Sequence, residues 1–314
     1  MPGVQLSERP GPPGPYATRE EIPAPLPDPS TGGIRYADIE YARVKGYRPL
    51  RMDLVLPPSA SGPVPVVVWI HGGAWLFGSR LHGANTERVC RALLSRGVAV
   101  ALVEYRFSSE ALFPACLHDV KAAVRWLRSF GASVGIDSDA IGVWGESSGG
   151  HLAAFVALNG TEERLEGTVG VTGCSSKVAA AVAWCPPTDF LAMGPDGTGW
   201  PDPTTPEALL IGGPTQARPQ EAAFASPVSH ARPGAAPILV VHGLQDGLIP
   251  PQQSALLHEA MQAAGATSDL EWVDGASHVF FGVDPDPLAE RSADFLVRHL
   301  TEARESGPGA AVTA

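Results

Sequence analysis

From residue 34 onward the chain alternates short apolar runs with amphipathic stretches. Residues 36–44 (YADIEYARV) and 50–56 (LRMDLVL) alternate apolar and polar positions and are rich in β-formers, which predicts a half-exposed hairpin. Residues 64–70 (VPVVVWI) and 98–105 (VAVALVEY) are continuous and β-branched, as strands buried on both faces require. Residues 140–144, 178–184, 237–242 and 268–273 give four further strand patterns. Helical spacing falls between them. In 85–96 it places Val89, Leu93 and Leu94 on one side before Gly97, and in 115–130 it groups Val120, Val124 and Leu127. Further helices are expected over 147–158, 252–264 and 287–300. Buried strands alternating with helices predict an α/β fold, a mostly parallel sheet with helices on both faces.

Two regions break this rhythm. Residues 1–33 hold nine prolines, which remove backbone donors and favour extended geometry. This N-terminal arm reads either as a disordered tail or as an extended arm lying over the domain near the site. Residues 186–232 are rich in Pro and Gly around a short apolar piece at 209–211, and read as a loop-rich, pocket-shaping insertion in a catalytic domain spanning 34–303. Residues 304–314 read as a frayed C-terminal tail. No repeat is visible.

Composition narrows the function. The net charge is −11, and no basic block occurs, which argues against nucleic acid or an anionic membrane face as partner. No apolar run approaches the roughly 18 residues of a spanning helix, and the N-terminus has no apolar segment of the secretory type. A cytoplasmic location is therefore expected. Cys90, Cys116, Cys174 and Cys185 are too few for a disulfide scaffold and lack zinc spacing, so no metal is expected. Cys174 and Cys185 could meet in a bridge if the loop before the strand at 177–184 folds back.

Gly145-Glu146-Ser147-Ser148-Gly149 is a G-x-S-x-G that follows the strand pattern AIGVW and opens the apolar helix HLAAFVAL. This context is that of a nucleophile held in a strained strand-to-helix turn, with glycines where side chains would collide with the neighbouring strand and helix. Only Ser147 has glycine at both −2 and +2. Serine needs a base, and the base an orienting acid. His71, His82, His118 and His151 precede or abut the nucleophile, and His258 and His299 lie inside helices. His278, in the loop DGASH between the last strand and the last helix, is the candidate base. Asp246, in HGLQD after a strand, is the candidate acid, with Asp274 as competitor; His242 reads as structural. His71-Gly72-Gly73-Ala74-Trp75 follows the strand VPVVVWI, and small residues there let backbone approach a ligand. Gly73 and Ala74, with Ser148 from the elbow, are the candidate oxyanion donors.

Together these residues resemble the α/β-hydrolase superfamily, and within it the hormone-sensitive-lipase-like esterases and the bacterial feruloyl and acetyl-xylan esterase-like group. HGGAW stands where that family has HGGG and an aromatic. GESSGG, EYRFSSEALFPACLHDVKAAVRWLR, HGLQDGLIP and GASH stand in family-like order across about residues 35–303. The resemblance implies an α/β-hydrolase fold with an eight-stranded sheet and a small cap, a Ser147–His278–Asp246 triad and no cofactor. Ala74 departs from the family's third glycine, and its methyl is expected to narrow the acyl site. By position in the family, Asp189, Phe190 and Trp200 are pocket candidates; Trp75, Leu76 and Phe77 are candidates for an apolar acyl wall, and Glu146 is counted with them. The expected activity is hydrolysis of small to medium acyl esters, with a small-molecule ester as partner. The alternatives are a carbohydrate-deacylating esterase, an amidase, lactonase or peptidase on the same triad, and a non-hydrolytic binding protein or dehydratase.

Overall fold

The computed structural model describes residues 4–5 and 21–306, except 59, 61, 159–162 and 195–196. Eight strands form the main sheet: β1 (Ile34–Arg43), β2 (Pro49–Leu56), β3 (Val64–Ile70), β4 (Ala99–Val103), β5 (Ile136–Glu146), β6 (Ala181–Trp184), β7 (Ile238–Gly243) and β8 (Ser268–Val273). Their spatial order is β8-β7-β6-β5-β3-β4-β2-β1. The strands from β3 to β8 pair in parallel, and β2 joins β4 and β1 antiparallel. This is the expected mostly parallel α/β-hydrolase sheet, with one addition. A two-residue strand, Leu26–Pro27, pairs antiparallel with Ile34 and Arg35 at the β1 edge and makes a ninth member.

The sheet is buried on both faces because side chains alternate along each strand. In β3, Val66, Val68 and Ile70 enter one core and Val67 and Trp69 the other. Five long helices cover these faces: α1 (Thr86–Leu94), α2 (Ala115–Phe130), α3 (Ser148–Leu158), α4 (Gln252–Ala263) and α5 (Asp286–Ser306). Val89 and Leu93 of α1 and Leu296 of α5 pack in one core, and Val120 of α2, Leu152 of α3 and Leu257 of α4 in the other. The chain leaves β3 towards β4 on one side and meets β5 on the other. The carboxyl ends of β3 and β5 therefore flank the point where strand order reverses, the place where open α/β sheets form their ligand crevice.

Four local expectations change. The insertion 186–232 is not all loop, since it carries helices Pro206–Ile211 and Pro219–Phe224. Each opens on proline, whose fixed φ suits the first helical turn, and Thr205 caps the first of them through Ala208 N–H at 3.3 Å. The last helix extends to Ser306 rather than ending before the tail, with Arg304 paired to Asp137 at 3.0 Å. The Cys174–Cys185 bridge does not form. All four cysteines are free, and the Cys174 sulfur lies 3.2 Å from Ser129 Oγ on α2. The described part of the proline-rich arm borders β1, the sheet edge remote from β5, with Ile22 buried in the core. Most of that arm and residues 307–314 lie outside the described residues. Among the described residues no helix is long and apolar enough to cross a membrane.

Candidate active site

Ser147 occupies the turn between β5 and α3 at φ 54°, in the left-handed region that an L-residue adopts only under constraint. The constraint is local packing. A Cβ on Gly149 would lie 2.0 Å from the Ile70 carbonyl oxygen, and one on Gly145 would lie 2.1 Å from the Gly149 carbonyl oxygen. Only glycine at both positions lets the turn close this tightly. Ser147 N–H donates to the Trp184 carbonyl at 2.8 Å, which ties the turn to the end of β6.

His278 arrives from the loop after β8. Its Nε2 lies 3.0 Å from Ser147 Oγ, and its Nδ1 lies 2.7 Å from Asp246 Oδ2. Asp246 sits in the turn after β7, with Oδ1 accepting from Leu248 N–H and Ile249 N–H at 2.9 Å each. Burial pushes the Asp246 carboxyl upward, but hydrogen bonds from His242 and His278 hold it well below the usual carboxylate range. Burial lowers His278, while the hydrogen bond to Asp246 and the nearby Cys185 sulfur raise it further than burial lowers it. The sequence-chosen serine, histidine and aspartate are thus adjacent although 131 and 32 residues separate the two bonded pairs. Asp274 closes its own turn through Gly275 N–H at 3.0 Å.

The His278 loop is held from beneath. Phe280 packs edge-on to Trp184 at 4.8 Å, Trp184 to Trp144 at 5.0 Å, and Trp144 to Trp69 at 6.1 Å. This row of rings spans β6, β5 and β3, and Trp184 Nε1 donates to Ser292 Oγ on α5 at 3.0 Å. Gly243 gives way to the same loop, because a Cβ there would lie 2.4 Å from the Ala276 carbonyl oxygen.

The loop after β3 faces the turn. Gly73 has φ 125°, and a Cβ on it would lie 2.0 Å from the Phe77 carbonyl oxygen. Ala74 follows at φ 53°. Among the described residues, no backbone acceptor in the protein takes the N–H of Gly73, Ala74 or Ser148. Tyr105, fully buried, donates its hydroxyl to the His71 carbonyl at 3.1 Å and so fixes the root of this loop.

A cavity of about 200 Å³ opens beside Ser147 and is lined by Ala74, Trp75, Ser148, Met193, Trp200 and Glu207 among others. Of the expected pocket residues, Ala74, Trp75 and Trp200 reach it. Phe190 does not: it is buried in the core, stacked on His151 at 5.4 Å and edge-on to Trp75 at 5.6 Å. Asp189 spends its carboxylate on the N–H groups of Leu191 and Ala192, and neither Leu76 nor Phe77 lines the cavity. Glu146 is buried and accepts from Asn85 Nδ2 at 2.8 Å, so it braces the turn instead of facing the cavity. Asn85, Met193, Glu207 and the Asp246 contact of His242 were not singled out by sequence reasoning. Asn85, Met193 and Glu207 lie outside the strand–turn–helix motifs and carry no local pattern, and the His242 contact depends on how the HGLQD turn folds back on β7.

Among the described residues the one grouping with metal-ligating separations is Cys185, Asp246 and His278, whose donor atoms lie within 4.8 Å of one another. Asp246 and His278 already direct these atoms at each other, an arrangement suited to proton transfer.

The BD-FAE family model matches residues 52–261. The chain is 31% identical over 225 residues to a probable carboxylic ester hydrolase, LipM, of Mycobacterium tuberculosis, covering 71% of this chain and 49% of that one. It is 29% identical over 248 residues to esterase LipC of the same organism, covering 74% and 58%. The chain therefore spans about half the length of these curated relatives. Its fold is similar to that of a truncated carbohydrate esterase from gut microbiota, with a TM-score of 0.77 at 30% identity, covering 89% of this chain and 99% of that one. It is also similar to the thermophilic esterase Est2 of Thermogutta terrifontis, with a TM-score of 0.68 at 26% identity, covering 90% and 96%. With the match extending over two thirds of its length, the chain belongs to the BD-FAE family of α/β-hydrolase esterases.

Proposed function

We propose that this protein is a serine carboxylesterase for small to medium acyl esters. Ser147 Oγ attacks the ester carbonyl while His278 Nε2 takes its proton. Asp246 fixes the tautomer of His278 and stabilises the imidazolium. The N–H groups of Gly73, Ala74 and Ser148 receive the oxyanion, and each such donor contributes about 3–4 kcal/mol to the transition state. The C–O bond then breaks, and His278 returns the proton to the leaving alcohol. Water repeats the sequence on the acyl-enzyme. The observation that carries this reading is the continuous path from Asp246 to His278 to Ser147, at 2.7 and 3.0 Å. The esterase relatives support it, and the cavity of about 200 Å³ suits a short group. Residues 186–232 serve as a small cap, since Met193, Trp200 and Glu207 from it line that cavity.

The test is Ser147→Ala assayed on p-nitrophenyl acetate and butyrate. The expected loss in kcat is about 10⁶-fold, with thermal stability almost unchanged. Retained turnover would move the nucleophile elsewhere. A second reading, deacylation of a carbohydrate, is favoured by the likeness to the carbohydrate esterase, and comparing acetylated sugars with simple acetates separates the two.

A further inference from the structure

Glu207 stands out in the cavity beside Ser147. Its neighbours there include Ala74, Trp75, Met193, Trp200 and Leu248, an almost wholly apolar wall. The residue is only 4% exposed. Among the described residues, no other side chain or backbone group donates a hydrogen bond to its carboxyl and no cation pairs with it; burial and its own backbone N–H alone shift its pKa, burial raising it. A glutamate in a first helical turn commonly faces water, where it gains from the helix dipole. This one is desolvated instead, and the cap of its helix is already supplied by Thr205. Buried carboxyls without partners are costly, and those that persist usually have a partner that arrives.

We infer that Glu207 selects the substrate, its carboxyl accepting a hydrogen bond from a hydroxyl or protonated amine carried by the short part of the ester that enters this cavity. The inference rests on the esterase reading and sharpens it: the preferred esters carry a donor group a few bonds from the carbonyl, not a plain alkyl chain. A pocket built to hydrogen-bond a substrate donor rejects the analogue that lacks it, because its own polar group is left unpaired. The small cavity, below the roughly 300–1,000 Å³ of drug-sized sites, admits a short donor-bearing group and excludes long acyl chains.

The test is a ratio: kcat/KM for a donor-bearing ester divided by kcat/KM for its plain counterpart. In the acyl series, p-nitrophenyl 3-hydroxybutyrate and the p-nitrophenyl ester of β-alanine are each compared with p-nitrophenyl butyrate. In the alcohol series, 2-hydroxyethyl acetate is compared with propyl acetate by acid release. The wild-type ratio is expected to reach roughly tenfold or more in one series, and to fall to about one in Glu207→Leu. Glu207→Gln retains an accepting oxygen but no charge. It keeps a hydroxyl preference and loses an ammonium preference; should the leucine variant fail to fold, Glu207→Met, which keeps the length of the side chain without an acceptor, takes its place, and a ratio unchanged there overturns the inference. A wild-type ratio near one in both series, or a ratio unchanged in Glu207→Leu, overturns the inference while leaving the esterase reading intact. Absence of turnover on every ester, together with no labelling of Ser147 by an organophosphonate, would overturn both.

Discussion

His242 places Nε2 3.2 Å from Oδ2 of Asp246, the same oxygen that receives His278. The ring of His242 is fully buried, with Nδ1 2.6 Å from Ser254 Oγ and Nε2 3.1 Å from the Ile249 carbonyl. It links β7 to the turn that holds the acid and to the start of α4. His242→Leu is expected to lower stability by about 1–3 kcal/mol, because buried polar partners lose their bonds. It should also reduce kcat/KM, but by less than the roughly 10⁴-fold expected when the acid itself is neutralised. Denaturant unfolding and ester kinetics on His242→Leu and Asp246→Asn check the ordering.

The Asp246–His278 pair sets opposite pH dependences for activity and stability. His278 is raised above its ordinary 6.5, so the base is free only above that pH, and the acid limb of kcat/KM should have its midpoint above 6.5. For stability, a raised histidine contributes fully below about 6.5 and loses that contribution as pH rises through the folded value. A lowered aspartate contributes above its ordinary 3.8 and loses that contribution as pH falls through the folded value. The difference in Tm between wild type and Asp246→Asn should therefore be largest between about pH 4 and 6.5. Calorimetry across pH, beside the rate profile, measures both. An acid limb below 6.5 would contradict the assignment.

Gly149→Ala tests the packing of the turn directly. The added Cβ would meet backbone, the Ile70 carbonyl oxygen at 2.0 Å, and no flexible side chain can yield. The expected cost is about 3 kcal/mol or more, seen as loss of soluble protein or a fall in Tm. Gly247→Ala, where the space is open, is the control and should cost far less.

Ala74 holds φ 53° and lines the cavity, so its methyl both strains the loop and narrows the site. Ala74→Gly relieves the left-handed strain but loosens the unfolded chain, and the two effects nearly cancel to within about 1 kcal/mol. Its main expected consequence is a longer optimal acyl chain. A p-nitrophenyl ester series from acetate to octanoate, compared with wild type, reads that shift.

Much of this architecture was legible in the chain. Residues 64–70 and 115–130 form their strand and helix with the expected bounds, since their apolar periods and flanking breakers leave little choice. Ser147, Asp246 and His278, which the structure brings together, could be singled out because each follows a strand and the family's chain order suggests the roles proposed for them. The insertion 186–232 was harder to read. Residues 206–211 and 219–224 are one and a half turns each, too short for a period, and their helices depend on proline starts and tertiary packing. Phe190 was misplaced because position after β6 says nothing about which way a side chain turns, and here it turns into the core against His151. Burial pushes that histidine down to about 3, so it stays neutral as a packing group between α3 and the insertion, bonded to the Ala225 carbonyl at 2.8 Å. Glu207 escaped notice because a glutamate just ahead of a short apolar piece reads as an exposed first-turn residue until its burial is known.

Ser147, activated through His278 and Asp246, is the proposed nucleophile. Treating the intact protein with an organophosphonate probe and locating the adduct by peptide mass spectrometry tests it most directly. A single adduct is expected on the peptide containing Ser147, abolished in Ser147→Ala and strongly slowed in His278→Ala. An adduct on a different peptide, or full esterase activity with Ser147 unmodified and the probe in excess, would contradict it.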